Sequence, residues 1–214
     1  MFQARVLFYF QLMSRYFIIT QEAKDSLSQK CPKMAKLIAG SDSIKRKVTP
    51  DLFTALCHSI IGQQISIKAA ATVCERFDAL FSEISPQALY RKRDATIQKC
   101  GLSQRKVAYL KGVAKAAIYR DVDFDQLSSY SEEAFTASLT SLKGVGVWTA
   151  EMLLLFSLER PNILSYGDLA IRNAIMELHQ LDSLTRQEFQ HYKTLYAPYC
   201  STASMYLWNS QKKK

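Results

Sequence analysis

Leu142-Lys143-Gly144-Val145-Gly146 separates two stretches with helical spacing and places two glycines one residue apart in a tight turn. Upstream, Ser131 opens a helix pattern with Glu132 and Glu133 in its first turn, where carboxylates suit the positive end of the dipole. Downstream, a second pattern runs from about Trp148 to Leu158. Glycine admits positive φ and lets another backbone come close. The N-terminus of the following helix carries amides with no partner inside the helix, a natural place for an anion. A helix–GxG–helix unit can therefore dock a phosphate through main-chain N–H groups without reading base sequence. It can equally be an ordinary corner between helices, closed by a glycine.

Working outward, helix periods fill the chain. Leu52, Phe53, Leu56, Cys57, Ile60 and Ile61 recur on one face of a helix over Thr49 to Ile61. Gly62-Gln63-Gln64 interrupts the stripe, which resumes as Ala69, Ala70, Val73, Cys74, Phe77, Leu80 and Phe81. Ser85-Pro86 reads as a cap followed by proline at the first helical position, and Cys100-Gly101 closes that third helix. Ser103 opens a fourth, with Val107, Leu110, Ala114, Ala117 and Ile118 facing inward and Arg105, Lys106, Lys111 and Lys115 on the same helix. A loop spans Glu159 to Gly167, Asp168 begins another helix, and a last one covers about Ser201 to Trp208. No alternating strand pattern of useful length interrupts these, so the expected class is all-α.

The balance of 28 Lys and Arg against 19 Asp and Glu leaves a net charge of +9, which favours a polyanionic partner, nucleic acid before an anionic membrane surface. Five cysteines (Cys31, Cys57, Cys74, Cys100, Cys200) make an odd total with no CxxC pair. That argues against a disulfide framework, a zinc site and an iron–sulfur cluster, and for reduced thiols in a cytoplasmic protein. Cys57 and Cys74 read as small core residues. His58, His179 and His191 lack metal spacing and read as surface or packing histidines. The apolar start, Met1 to Met13, is too short to span a bilayer, and no membrane segment follows it. Lys212–Lys214 reads as a frayed basic tail.

Leu142-Lys143-Gly144-Val145-Gly146-Val147-Trp148-Thr149-Ala150-Glu151, with Ser165-Tyr166-Gly167-Asp168-Leu169-Ala170-Ile171-Arg172 after a loop, closely resembles the helix–hairpin–helix (HhH-GPD) DNA glycosylase superfamily. Within it the chain is similar to the 3-methyladenine DNA glycosylase II (AlkA-like) branch. Ser59-Ile60-Ile61-Gly62-Gln63-Gln64-Ile65-Ser66 and Pro198-Tyr199-Cys200-Ser201 agree with this. The resemblance runs from about Tyr16 to Trp208, leaving 1–15 as an amino-terminal extension and both Met1 and Met13 open as the natural start. It implies two helical subdomains within 16–214, a central helical barrel over about 50–160 and a second subdomain from the N- and C-terminal helices, with the active site in the cleft between them.

The implied activity is hydrolysis of the N-glycosidic bond of alkylated purines in double-stranded DNA, by a monomer that needs no cofactor. Asp168 matches the superfamily's catalytic aspartate; it also has the position of a helix N-cap, and the two roles are compatible. Lys143, Gly144, Val145, Gly146 and Thr149 would hold the DNA backbone. Main-chain carbonyls of Thr140, Leu142 and Val145 would hold a monovalent cation, sodium or potassium. Trp148 stands where bifunctional relatives carry an imine-forming lysine, so the reaction should stop at an abasic site. Trp148 and Tyr199 would form aromatic walls for an extruded base, although Trp148 can also be read as sealing two helices. Gln64 would fill the gap left by that base, or cap a helix junction. Tyr199 where Trp is commoner, Cys200 where Arg is frequent, and Met152 and Leu169 where some relatives have Tyr depart from the pattern and leave the base preference open. A glycosylase for oxidised, deaminated or mismatched bases and a non-catalytic DNA-binding module are the other readings.

Overall fold

Small polar side chains start most of the helices in the computed structural model, which describes residues 15–211. Met1 and Met13, the rest of the extension before Arg15, and the Lys212–Lys214 tail lie outside those residues. In chain order the α-helices are α1 (Gln21–Lys30), α2 (Pro32–Ala39), α3 (Leu52–Gly62), α4 (Ile67–Asp78), α5 (Pro86–Arg91) and α6 (Asp94–Gln98). They continue as α7 (Gln104–Ile118), α8 (Glu132–Thr140), α9 (Val147–Phe156), α10 (Leu169–His179), α11 (Arg186–Tyr196) and α12 (Cys200–Gln211). Thr20, Asp51, Ser66, Ser85, Ser103, Ser131 and Asp168 each accept an amide proton from the first turn of the helix they precede. Thr185 does so within a full capping box with Glu188. Among the described residues β pairing is limited to one antiparallel bridge, Tyr16 with Lys47. The protein is all-α.

The chain divides into two compact units. One contains the described residues up to Thr49 with those from Leu154 onward; the other is Pro50–Leu153. The core of the first gathers Leu27 and Met34 from α1 and α2, Ile171 and Ile175 from α10, and Tyr196, Ala203 and Leu207 from the last two helices. Helix α12 is buried all round from Cys200 to Leu207, as a central helix must be. In the second unit Leu56 and Ile60 of α3, Phe77 of α4, Leu89 of α5, Leu110 of α7 and Phe135 of α8 are shut off from solvent.

Two sequence expectations change, and three helices are added. The pattern from Ser85 to Cys100 is two short helices, because Lys92 and Arg93 take extended conformations between α5 and α6. The Lys111 ammonium of α7 stabilises that break by donating to the carbonyls of Tyr90, at 2.7 Å, and Lys92. On α4 Phe77 is buried, but Ala69 is exposed and Val73 and Cys74 are half-buried; this helix packs chiefly on α3. Cys74 is thus a partly covered thiol, pushed up to about 11 by burial and by the Asp78 carboxylate. Helices α1, α2 and α11, which were not read individually from the sequence, carry thin buried stripes: Ala23 with Leu27, Met34, and Phe189 with Tyr196.

Candidate functional site

The glycine turn lies between α8 and α9, and its two glycines do different jobs. Gly144 has φ +87°, in the left-handed region where a side chain is strained. A Cβ there would also lie 2.3 Å from Cδ2 of Tyr109. Gly146 has no positive φ, and a Cβ on it would meet nothing within 4 Å. The first glycine lets the turn close against α7; the second leaves open space on the outside. Leu142 O accepts the Val145 amide at 3.1 Å and Gly146 O accepts the Ala150 amide at 3.1 Å, which leads the chain from turn into helix. Lys143 and Gly146 are exposed, whereas Val145 and Thr149 are buried and fasten the turn to its unit. At the end of α8, Thr140 Oγ1 donates to Thr136 O at 2.8 Å.

Trp148, on the first turn of α9, is 42% exposed. It lines a cavity of about 410 Å³ together with Ser59, Gly62, Gln63 and Gln64. The turn and the α3–α4 loop thus meet within one unit. Gln64 is exposed, with φ 58°. It caps neither neighbouring helix through its side chain: Gln63 is the C-cap of α3, and Ser66 Oγ accepts the Ala69 amide at 3.2 Å to start α4. The capping alternative for Gln64 is therefore removed. Two residues not singled out from the sequence hold this loop. Gln63 Nε2 donates to Gly144 O at 2.8 Å. Lys106 Nζ donates to Ile61 O and to Gln63 O, both at 2.6 Å, and desolvation lowers its pKa.

Asp168 belongs to the other unit. It is 9% exposed, and its Oδ1 accepts the Ile171 amide at 3.0 Å, so the carboxylate is fixed at the start of α10. The segment leading to it is anchored on α12. Ser201 Oγ donates to Arg160 O and accepts the Ile163 amide at 3.0 Å, and Ser204 Oγ donates to Ile163 O at 3.0 Å. Arg172, one turn beyond Asp168, places its guanidinium 5.1 Å from the Tyr166 ring centroid, and Arg186 approaches the same ring at 5.0 Å. Tyr199 Oη donates to Glu22 Oε1 at 2.7 Å, and that hydrogen bond raises the phenol's pKa. Glu22 had no signal in the sequence, since it lies 177 positions from its partner.

A family model described as "HhH-GPD superfamily base excision DNA repair protein" matches residues 57–198. The chain is similar to DNA-3-methyladenine glycosylase 1 of Schizosaccharomyces pombe, with 29% identity over 191 residues, 87% of this chain and 84% of that protein. A solved structure of the Schizosaccharomyces pombe 3-methyladenine DNA glycosylase in complex with abasic DNA superposes with a TM-score of 0.80. It shares 28% identity and covers 90% of this chain and 97% of that one. The DNA-3-methyladenine glycosidase from Bacillus halodurans gives a TM-score of 0.79 at 30% identity, with 92% of each chain covered.

Proposed function

The chain belongs to the HhH-GPD superfamily of base excision DNA repair proteins, and from that membership we propose that it is a monofunctional DNA glycosylase of the 3-methyladenine II type. It removes alkylated purines, of the 3-methyladenine and 7-methylguanine kind, from double-stranded DNA. The observation that carries the reading is Asp168, a carboxylate buried to 9% exposure and locked by the Ile171 amide in the motif position of the family's aspartate. The neighbours named above support the substrate class, because each is named for 3-methyladenine.

In this reading the C1′–N bond breaks as water adds to C1′. The base leaves with the bonding electron pair, and the proton of the attacking water passes to the carboxylate or to solvent. Positive charge builds on the sugar, and a carboxylate held in place beforehand stabilises it without reorganising. An N3- or N7-alkylated purine is already cationic and becomes neutral on leaving, so no strong general acid is required. Trp148 offers an aromatic face to a cationic base, and an indole forms no imine with the opened sugar. Gly146, with open space beside it, and the N-terminus of α9 take a phosphate through main-chain amides. The carbonyls of Thr140, Leu142 and Val145 are neutral donors, which suits a monovalent rather than a divalent ion. When bound there, such an ion would add positive charge beside the phosphate.

The experiment is base release from methylated duplex DNA, with the freed bases identified chromatographically. Release of 3-methyladenine and 7-methylguanine, leaving alkali-labile abasic sites, is the expected result. Binding without release would leave only a backbone clamp.

A further inference from the structure

The α3–α4 loop is tied from two directions. From α7, Lys106 Nζ donates to Ile61 O and Gln63 O at 2.6 Å each, taking up carbonyls at the C-terminal end of α3, where the helix itself supplies no partner. With its main chain so held, Gln63 directs its side chain to the glycine turn and donates from Nε2 to Gly144 O at 2.8 Å. Gly144 cannot move toward α7, because the Tyr109 ring already fills the space beside its Cα. The next residue along, Gln64, is held with φ 58° and its side chain exposed. A left-handed non-glycine residue is strained and persists only where its surroundings over-determine it. Gln63 and Gln64 share the wall of the 410 Å³ cavity with Trp148.

We propose that Gln63 is a positioning residue for base excision, which sets Gln64 in fixed register with the glycine turn. The inference rests on the reading above, in which the turn grips a phosphate and Gln64 enters the gap left by the extruded base. Those two events occur on one duplex, so the distance between grip and wedge must match the distance between a phosphate and the base stack. The Gln63–Gly144 hydrogen bond from the loop to the turn sets that distance, and Lys106 keeps the loop from yielding.

The bond contributes little to the fold. It joins two partly exposed loops, and water can replace Gln63 on the Gly144 oxygen. Its loss should appear where register matters, in extrusion and excision, and not in melting temperature or in affinity for undamaged DNA.

The test compares the full chain with Gln63→Met, which keeps the volume and removes the donor, and with Gln63→Ala. Each is assayed for melting temperature, affinity for undamaged duplex, single-turnover release of 7-methylguanine at saturating enzyme, and fluorescence of 2-aminopurine placed beside an abasic analogue. The expected result is an unchanged melting temperature and undamaged-duplex affinity within about twofold of wild type. Single-turnover release should slow about tenfold, the upper range for losing one neutral hydrogen bond, with a reduced 2-aminopurine signal. Normal release and signal in both variants would overturn the inference. So would an equal loss of affinity for every duplex, which would mean that Gln63 merely holds the turn together. A wild-type protein that releases no methylated base would overturn the functional reading itself, and with it this one, and that control is run first.

Discussion

The ring of Tyr109 occupies the place a side chain on Gly144 would need, with its Cδ2 2.3 Å from the ideal Cβ position. Gly144 is thus required twice, by the ring and by a φ of +87°. Gly146 is required by neither. Gly144→Ala should therefore destabilise the protein by about 1–3 kcal/mol, the range for overpacking a filled site, with the backbone strain adding to it. Gly146→Leu should change stability by no more than about 0.5 kcal/mol but weaken binding to damaged and undamaged duplex alike. Urea unfolding and duplex titration of both variants measure this. A destabilised Gly146→Leu protein with normal DNA affinity would remove that glycine from the interface.

Asp168 caps α10 and, in the proposed reaction, stabilises charge, and two substitutions separate the roles. Asn accepts the Ile171 amide as Asp does, so Asp168→Asn should fold and bind DNA normally while excision falls by about 100- to 1000-fold. Asp168→Ala loses the cap as well and should cost about 1 kcal/mol of stability. Near-normal turnover by folded Asp168→Asn protein would exclude the catalytic assignment.

Local signals made the helix starts legible. Ser85, Ser103, Ser131 and Asp168 all cap the helices that their positions foretold. The glycine turn was legible for the same reason. What holds it was not: Gln63 with Gly144, Lys106 with Ile61, and Tyr109 against Gly144 join residues tens of positions apart on different elements, and no spacing marks such pairs. Lys106 and Lys111 read from the sequence as part of a basic helix. In the fold their ammonium groups close helix ends from within. The same limit applies to α5 and α6, read as one helix from the Ser85-Pro86 start and the Cys100-Gly101 end, where a lysine from a third helix stabilises the break.

His179 titrates against the fold. Burial, then the nearby Lys33 and His191, lower its pKa, while Nε2 stays 2.8 Å from the Tyr196 hydroxyl. The folded protein therefore prefers the neutral ring, and the unfolded chain takes up the proton first as pH falls below about 6.5. This contribution to stability is full above that pH and is lost as pH falls through the lower, folded value. Melting temperature should decline between neutral pH and pH 5, and less steeply in His179→Gln. The His58–Asp78 pair, at 2.7 Å, is common to both proteins and cancels in the comparison. Identical slopes would show that His179 does not sense pH.

In the proposed reaction Trp148 bears on the product as well as the substrate. A lyase needs an amine that attacks C1′ and forms an imine, and position 148 offers an indole instead. Lys143 is exposed but precedes both glycines, on the side of the turn away from α9 in sequence. The reaction should therefore end with free base and an intact strand bearing an abasic site. Borohydride added during turnover should trap no protein–DNA adduct, and the strand should break only after heat or alkali. Because leaving-group quality carries much of the catalysis, 3-methyladenine should be released faster than any uncharged lesion. Trp148→Ala should slow release of the cationic base by about tenfold, between the exposed and the desolvated value of a cation–π contact, and should still leave no adduct. The assay pairs methylated DNA with an 8-oxoguanine duplex and reads free bases, strand integrity and trapped complex together. Release of 8-oxoguanine with nicking and a trapped adduct would overturn the substrate and the single-step chemistry at once. An adduct that vanished in Lys143→Ala would then identify the amine.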